Sequence, residues 1–249
     1  MIELLILCLA SFGAGALNAV AGGGTFLTFP ALVWTGIPTV SANATATLVV
    51  LPGYIASAWA FRHNIRQQGS LALRSVIIIS VFAGLLGALL LIQTSDQAFS
   101  GIVPWLLLIS TVLFAIGPAF TRYLSRRGVA PAGPIISAVA LICVSIYGGY
   151  FNGGLGIILL ATFGLLGFTD LHAMNGLKNV LSAILSLTSA IAFILAGLIV
   201  WKVAIPMALA ATAGGYFGAY TSRRIKNTNI LRWFVVFVGA VMTVLFFAG

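Results

Sequence analysis

The chain has 249 residues, 61% of them hydrophobic and only 6% charged, with a mean hydropathy of +1.17. A soluble domain of this length cannot hide so much apolar surface, so the composition assigns an integral membrane protein. The net charge of +9 does not point to nucleic acid, because nine of the twelve Lys and Arg residues fall in three short loops between apolar runs.

The first stretch, MIELLILCLASFGAGA, carries Glu3 and no basic leader, which makes it a poor secretory signal and a first membrane segment. It runs into NAVAGGGTF, residues 18–26, where an asparagine and three consecutive glycines interrupt an apolar region. Unpaired backbone in hydrocarbon costs several kcal/mol, so a break at membrane depth survives only where it is buried in protein or lines a wet cavity. Asn18, Gly22, Gly23, Gly24 and Thr25 are therefore candidate ligand groups. Glycine amides form anion-binding nests, and a short helix starting at Thr25 would turn its positive end towards them.

Apolar runs long enough to cross a bilayer follow at 44–61, 75–92, 101–121, 134–151, 179–200, 203–221 and 230–248. None alternates, which excludes barrel strands. Two pieces, 25–35 and 156–168, are too short to cross alone, and each follows a glycine break. The second break reads NGGLG and adds Asn152, Gly153 and Gly154 to the candidates, with a helix expected from Ile157.

Polar side chains also gather near the starts of two runs. Asn43, Thr45 and Thr47 recur at every second position, and Asn175, Lys178 and Asn179 precede the run at 179. All are expected to line one cavity. Lys178 is a functional-site hypothesis as an intramembrane cation, with snorkelling to the interface as the alternative. Thr28, Thr162 and Ser182 compete with bonding to their own helix backbone. Gly214, Gly218, Ala83 and Gly87 are spaced for close helix packing rather than ligand binding.

Cys8 and Cys143 lie in apolar runs and read as core cysteines. Glu3, Asp96 and Asp170 all lie near ends or loops, so no central run holds a carboxylate for a cation path or metal. His63 and His172 read as loop residues, His172 being close enough to the candidate site to leave proton coupling open. No nucleophile, base or metal cluster assembles, so the chain is not read as an enzyme and needs no cofactor.

The two halves match weakly and in order. The segment from Asn18 aligns with that from Asn152, setting Gly24 over Gly156; Asn43 falls over Asn175, Thr47 over Asn179, and 83–88 over 214–219. Arg62, Arg66 and Arg74, then Arg122, Arg126 and Arg127, then Arg223, Arg224 and Lys226 place the loops 62–74, 121–134 and 221–229 in the cytoplasm. The charge bias changes sides between the halves, as an inverted-topology repeat requires. The expected fold is all-α and polytopic, with 8–10 membrane segments in two inverted repeats, 1–128 and 129–249. Each repeat opens with a glycine-broken hairpin at 2–36 or 134–168, whose depth of crossing is left open.

The break near the N-terminus, LPGYIASAWAFRHN at 51–64, YGGYFNGGLG, NGLKNVLSAILS, AGLIVW and GGYFGAYTSRRI together resemble the TauE/SafE family of sulfite-exporter-like membrane proteins, over nearly the whole chain. The resemblance implies a secondary transporter of a bacterial inner membrane exporting sulfite, an organosulfonate or a related sulfur anion. The second break lacks the triple glycine, so the two halves of a pocket should not be equivalent. The partners are then a small anion and the lipid bilayer, with homo-oligomerisation left open. An anion channel, or a transporter of a non-sulfur anion, stands as the alternative.

Overall fold

In a computed structural model of the chain, the described residues are 2–20, 23–60, 62, 70–127, 132–166, 168, 170–222 and 229–248. They form ten α-helices: α1 Ile2–Val20, α2 Thr25–Trp34, α3 Thr39–Ala60, α4 Leu73–Gln93, α5 Asp96–Arg127, α6 Pro134–Tyr150, α7 Leu155–Leu165, α8 Leu171–Leu195, α9 Trp201–Ser222 and α10 Asn229–Ala248. No strand occurs among the described residues.

Helix starts depart from the apolar runs where a distant or local carboxylate caps them. α3 begins at Thr39, ahead of its apolar run, because Asp96 Oδ1 accepts from the Val40 amide at 2.8 Å and from the Thr39 hydroxyl at 3.1 Å. α8 begins at Leu171 because Asp170 accepts from the Ala173 amide through Oδ1 at 3.3 Å. The backbone of His172, expected in a short connection, is therefore helical, and Asn175 and Lys178 ahead of the apolar run lie in the same helix as Asn179. The first break is narrower than expected, since α1 continues to Val20 and holds Asn18 inside a helix. α7 starts at Leu155, not Ile157, and the N-cap positions are Gly24 and Gly154, so the short helices align on those glycines rather than on Gly24 and Gly156.

At about 1.5 Å per residue, α1 is about 28 Å long and α2 about 15 Å, while α6 is about 25 Å and α7 about 16 Å. Each hairpin joins a long arm to a short one.

Among the described residues, four segments have both the length and the apolarity to cross a bilayer: Thr39–Trp59, Leu73–Gln93, Asp96–Leu113 and Ala173–Leu195. The segments of α3 and α8 lie furthest inside, 61% buried at mean hydropathies of 1.2 and 1.7, whereas those of α4, at 2.7, and α5, at 1.4, are 39% and 33% buried. This fits a bilayer, which solvates apolar side chains and leaves packing and polar contacts to hold the interior.

α1 lies on α9 and α4 on α6; α3 packs on α8 and α9, and α8 also on α4; α5 meets α10 and α7, and α10 meets α2. Small residues make these contacts close. A Cβ on Gly15 would lie 1.9 Å from the Ala211 carbonyl, one on Gly214 1.9 Å from the Phe12 carbonyl, and one on Gly87 2.1 Å from the Ile146 carbonyl. The packing role expected for Gly87, Gly214 and Gly218 is what the geometry shows. Phe12 meets Gly214 and Ala16 meets Gly218, so α1 and α9 run parallel; Ser80 meets Ser145 and Gly84 meets Gly149, so α4 and α6 do too.

The cysteines are not both in the core. Cys8 is half-buried, and Cys143 is exposed on the same outward surface of α6 as Ile135, Ile136 and Val139.

Candidate functional site

At the first break, Gly23 has a φ of +90° and Gly24 caps α2. The Gly24 amide donates to Asn18 Oδ1 at 2.7 Å, so the asparagine of α1 serves the start of the helix that follows it. A Cβ on Gly24 would lie 2.4 Å from the Ala14 carbonyl, which explains the glycine by close packing. Gly22 lies outside the described residues. At this break three buried polar atoms have no hydrogen bond among the described residues: Asn18 Nδ2, Thr25 Oγ1 and Thr28 Oγ1.

The second break is held by side chains from elsewhere in the chain. The Gly153 carbonyl accepts from the hydroxyls of Ser110 on α5 and Tyr147 on α6. Asn152 Nδ2 donates to Ser186 Oγ on α8 at 2.6 Å, and Asn43 Nδ2 of α3 donates to the Tyr150 carbonyl at 2.9 Å. Gly154, at φ +71°, turns the chain into α7.

One side chain lies between the breaks. Tyr54 of α3 is 3% exposed; its hydroxyl donates to Asn152 Oδ1 at 3.3 Å and faces the hydroxyl of Thr25 without a well-formed bond. Tyr54, Ser110, Tyr147 and Ser186 were not singled out from the sequence. Only their position in polar stretches of otherwise apolar helices signalled them.

Lys178 is 6% exposed, and its ammonium meets no carboxylate or hydrogen-bond acceptor among the described residues. Its stem crosses the first turn of α7, where a Cβ on Gly156 would lie 3.4 Å from Lys178 Cδ. In that turn the Leu155 and Ile157 amides bond back to the Asn152 and Gly154 carbonyls. The Gly156 amide between them has no acceptor among the described residues. One helical turn beyond Lys178, fully buried Ser182 Oγ also lacks a partner among the described residues. A cation, a helix N-terminus and an unpaired hydroxyl thus share a region with no negative group among the described residues, an arrangement suited to an anion.

The other candidates divide. Asn179 is buried and Asn175 half-buried, both on α8. Thr47 is turned to its own helix, donating to the Asn43 carbonyl at 2.9 Å. Thr45 does not share a cavity with Asn43 and Thr47, because alternate positions diverge on a helix; its hydroxyl accepts from the Val200 amide at 3.1 Å. Thr162 likewise donates to its own helix, at Ile158. His63 lies outside the described residues. Among the described residues no three His, Cys, Asp or Glu side chains converge on one point.

A cavity of about 860 Å³ opens between α1, α2, α5 and α10, with Phe26, the neighbour of Thr25, in its wall. It is lined by apolar side chains such as Pro30, Val33, Met242 and Phe246, with Gln97 and Ser100 at its edge. The polar chemistry is in the interior around α3, α7 and α8, not in this groove.

Residues 7–246 match the family model described as sulfite exporter TauE/SafE. The chain is 32% identical over 246 residues to a "Probable membrane transporter protein" of Haemophilus influenzae, covering 96% of this chain and 92% of that protein. It is 28% identical to "Probable membrane transporter protein ORF9" of a Sinorhizobium species, over 97% and 91% of the two chains. It is 27% identical to "Probable membrane transporter protein YfcA" of Escherichia coli K12, over 92% and 84%. With its helical membrane fold and a match from end to end, the chain belongs to the TauE/SafE family of membrane transporters.

Proposed function

We propose that this transporter exports a small sulfur-containing anion, such as sulfite or an organosulfonate, by alternating access around a site between the repeats 1–128 and 129–249. The observation that carries the reading is Lys178, a buried cation lying on the first turn of α7 with no counter-charge among the described residues. A buried charge is costly alone, and a positive helix end beside it raises the cost; a bound anion offsets both.

The ligand groups in this reading are Lys178, Ser182 and the Gly156 amide, with Asn152, Asn179 and Asn175 around them. Asn18, Gly23, Gly24 and Thr25 form the opposing wall. The packing supports two related halves: the pairings α1 on α9, α3 on α9, α5 on α7 and α1 on α2 recur five helices on as α6 on α4, α8 on α4, α10 on α2 and α6 on α7. With the basic loops cytoplasmic in a bacterial inner membrane, an inside-negative potential drives anion efflux by about 2.3 kcal/mol per charge per 100 mV.

Thermal unfolding of the purified protein, followed by flux in proteoliposomes, tests the reading. A ligand at a hundred times its dissociation constant adds about 2.7 kcal/mol to the folded state. Stabilisation and saturable flux with sulfite or sulfoacetate, both lost in Lys178→Ala, are expected. Stabilisation by carboxylates or metals alone would overturn the sulfur-anion assignment.

A further inference from the structure

We propose that the part of α3 beyond Pro52 and Gly53 pivots during transport, and that the Tyr54 hydroxyl is the latch tying both breaks to its position. The proposal builds on the transport reading above. Pro52 lies inside α3 and has no amide to offer the Leu48 carbonyl, so the hydrogen-bond ladder is interrupted there. Gly53 follows it, and a Cβ built on Gly53 meets nothing within 4 Å.

That open space separates Gly53 from the packing glycines. At Gly87 and Gly214 a side chain would strike backbone; at Gly53 there is room for one and none is present. A glycine in a helix interior weakens it, and with no packing gain here what remains is local freedom of the backbone.

The two sides of the pair differ in support. Val49, Val50 and Leu51 are buried, whereas Ile55, Ala56 and Trp59 are exposed. The first part of α3 is enclosed by its neighbours, whereas beyond Tyr54 its described side chains are exposed or half-buried. Tyr54 sits at the junction and is buried, with its hydroxyl on Asn152 at the second break and facing Thr25 at the first. A swing of the end of α3 withdraws that hydroxyl from both breaks at once, and its return seats both. Tyr54 is thus a positioning residue, acting on the candidate site through Asn152 and Thr25.

The test uses the full chain with two substitutions. Gly53→Ala, which has room for its methyl group, should unfold no earlier than wild type and keep the anion-induced stabilisation. In proteoliposomes it should lower kcat for sulfite several-fold with KM unchanged, because only the conformational step is slowed. Tyr54→Phe, studied without any anion, should speed deuterium exchange in 24–28 and 153–158 together. Wild-type kcat in Gly53→Ala, or loosening of only one break or neither in Tyr54→Phe, would overturn the proposal. A wild-type protein that carries no sulfur oxyanion would overturn the functional reading alone, since the exchange measurement still decides the latch.

Discussion

At the first break the capping glycine, Gly24, has a φ of −57° that any residue adopts, and it is glycine because a Cβ would lie 2.4 Å from the Ala14 carbonyl. At the second, Gly154 has more room, its Cβ position lying 2.9 Å from the side chain of Ser110, but its φ of +71° is one that side chains disfavour. The first break thus joins a left-handed turn at Gly23, φ +90°, to a packing joint at Gly24, whose amide is taken by a neighbouring asparagine. The second is a turn suspended from α3, α5, α6 and α8 by hydroxyl and amide side chains, with Lys178 lying beside it.

Substitutions at five positions would break or sharpen this contrast. The largest effect is expected from Lys178→Met, which should abolish anion flux and anion-induced stabilisation while leaving the ligand-free protein at least as stable as wild type. Removing an uncompensated buried charge is neutral or favourable to the fold. Early unfolding of the ligand-free variant would instead make Lys178 a structural residue.

Gly24→Ala comes next. It should cost about 1–3 kcal/mol, since the methyl meets rigid backbone of α1 and the short arm must move. Gly154→Ala should cost about 1–2 kcal/mol through its backbone angle. Denaturation midpoints in detergent check both, and equal tolerance at the two sites would erase the distinction between joint and turn.

Asn18→Ala removes the acceptor for the Gly24 amide and should destabilise by about 1 kcal/mol, with Asn18→Asp retaining most of the stability. If Asn18 also touches the anion, Asn18→Ala loses flux far beyond what that change in stability explains. The smallest effect is expected from Tyr147→Phe, at about 1 kcal/mol or less, because Ser110 still donates to the Gly153 carbonyl. Topology has its own check: an external thiol reagent should label a cysteine at Gln97 and spare one at Asn227, and the reverse pattern would invert the orientation.

Much of the architecture was legible along the chain. Hydropathy located the membrane helices to within a few residues, except where polar first turns belong to the helix, as at Thr39 and Leu171. Those starts are set by Asp96 and Asp170, and the hydropathy of a helix is blind to a carboxylate that caps it from outside. The glycine runs located both breaks, although α1 proved long enough to absorb Asn18. The every-second-residue pattern of Asn43, Thr45 and Thr47 misled, because it is a strand period read onto a helix; only Asn43 and Thr47 share a face.

By itself, the sequence determined the membrane class, the two interruptions and the lack of Asp and Glu in the central apolar runs. These follow from local transfer free energies and from composition, which need no partner. Tertiary structure alone decided which groups meet. Tyr54 reaches Asn152 across 98 positions, Ser110 reaches Gly153 across 43, and Asn43 reaches Tyr150 across 107. Such pairings depend on how closely small residues let α1 approach α9 and α4 approach α6, and that register is a property of packed surfaces rather than of any one segment.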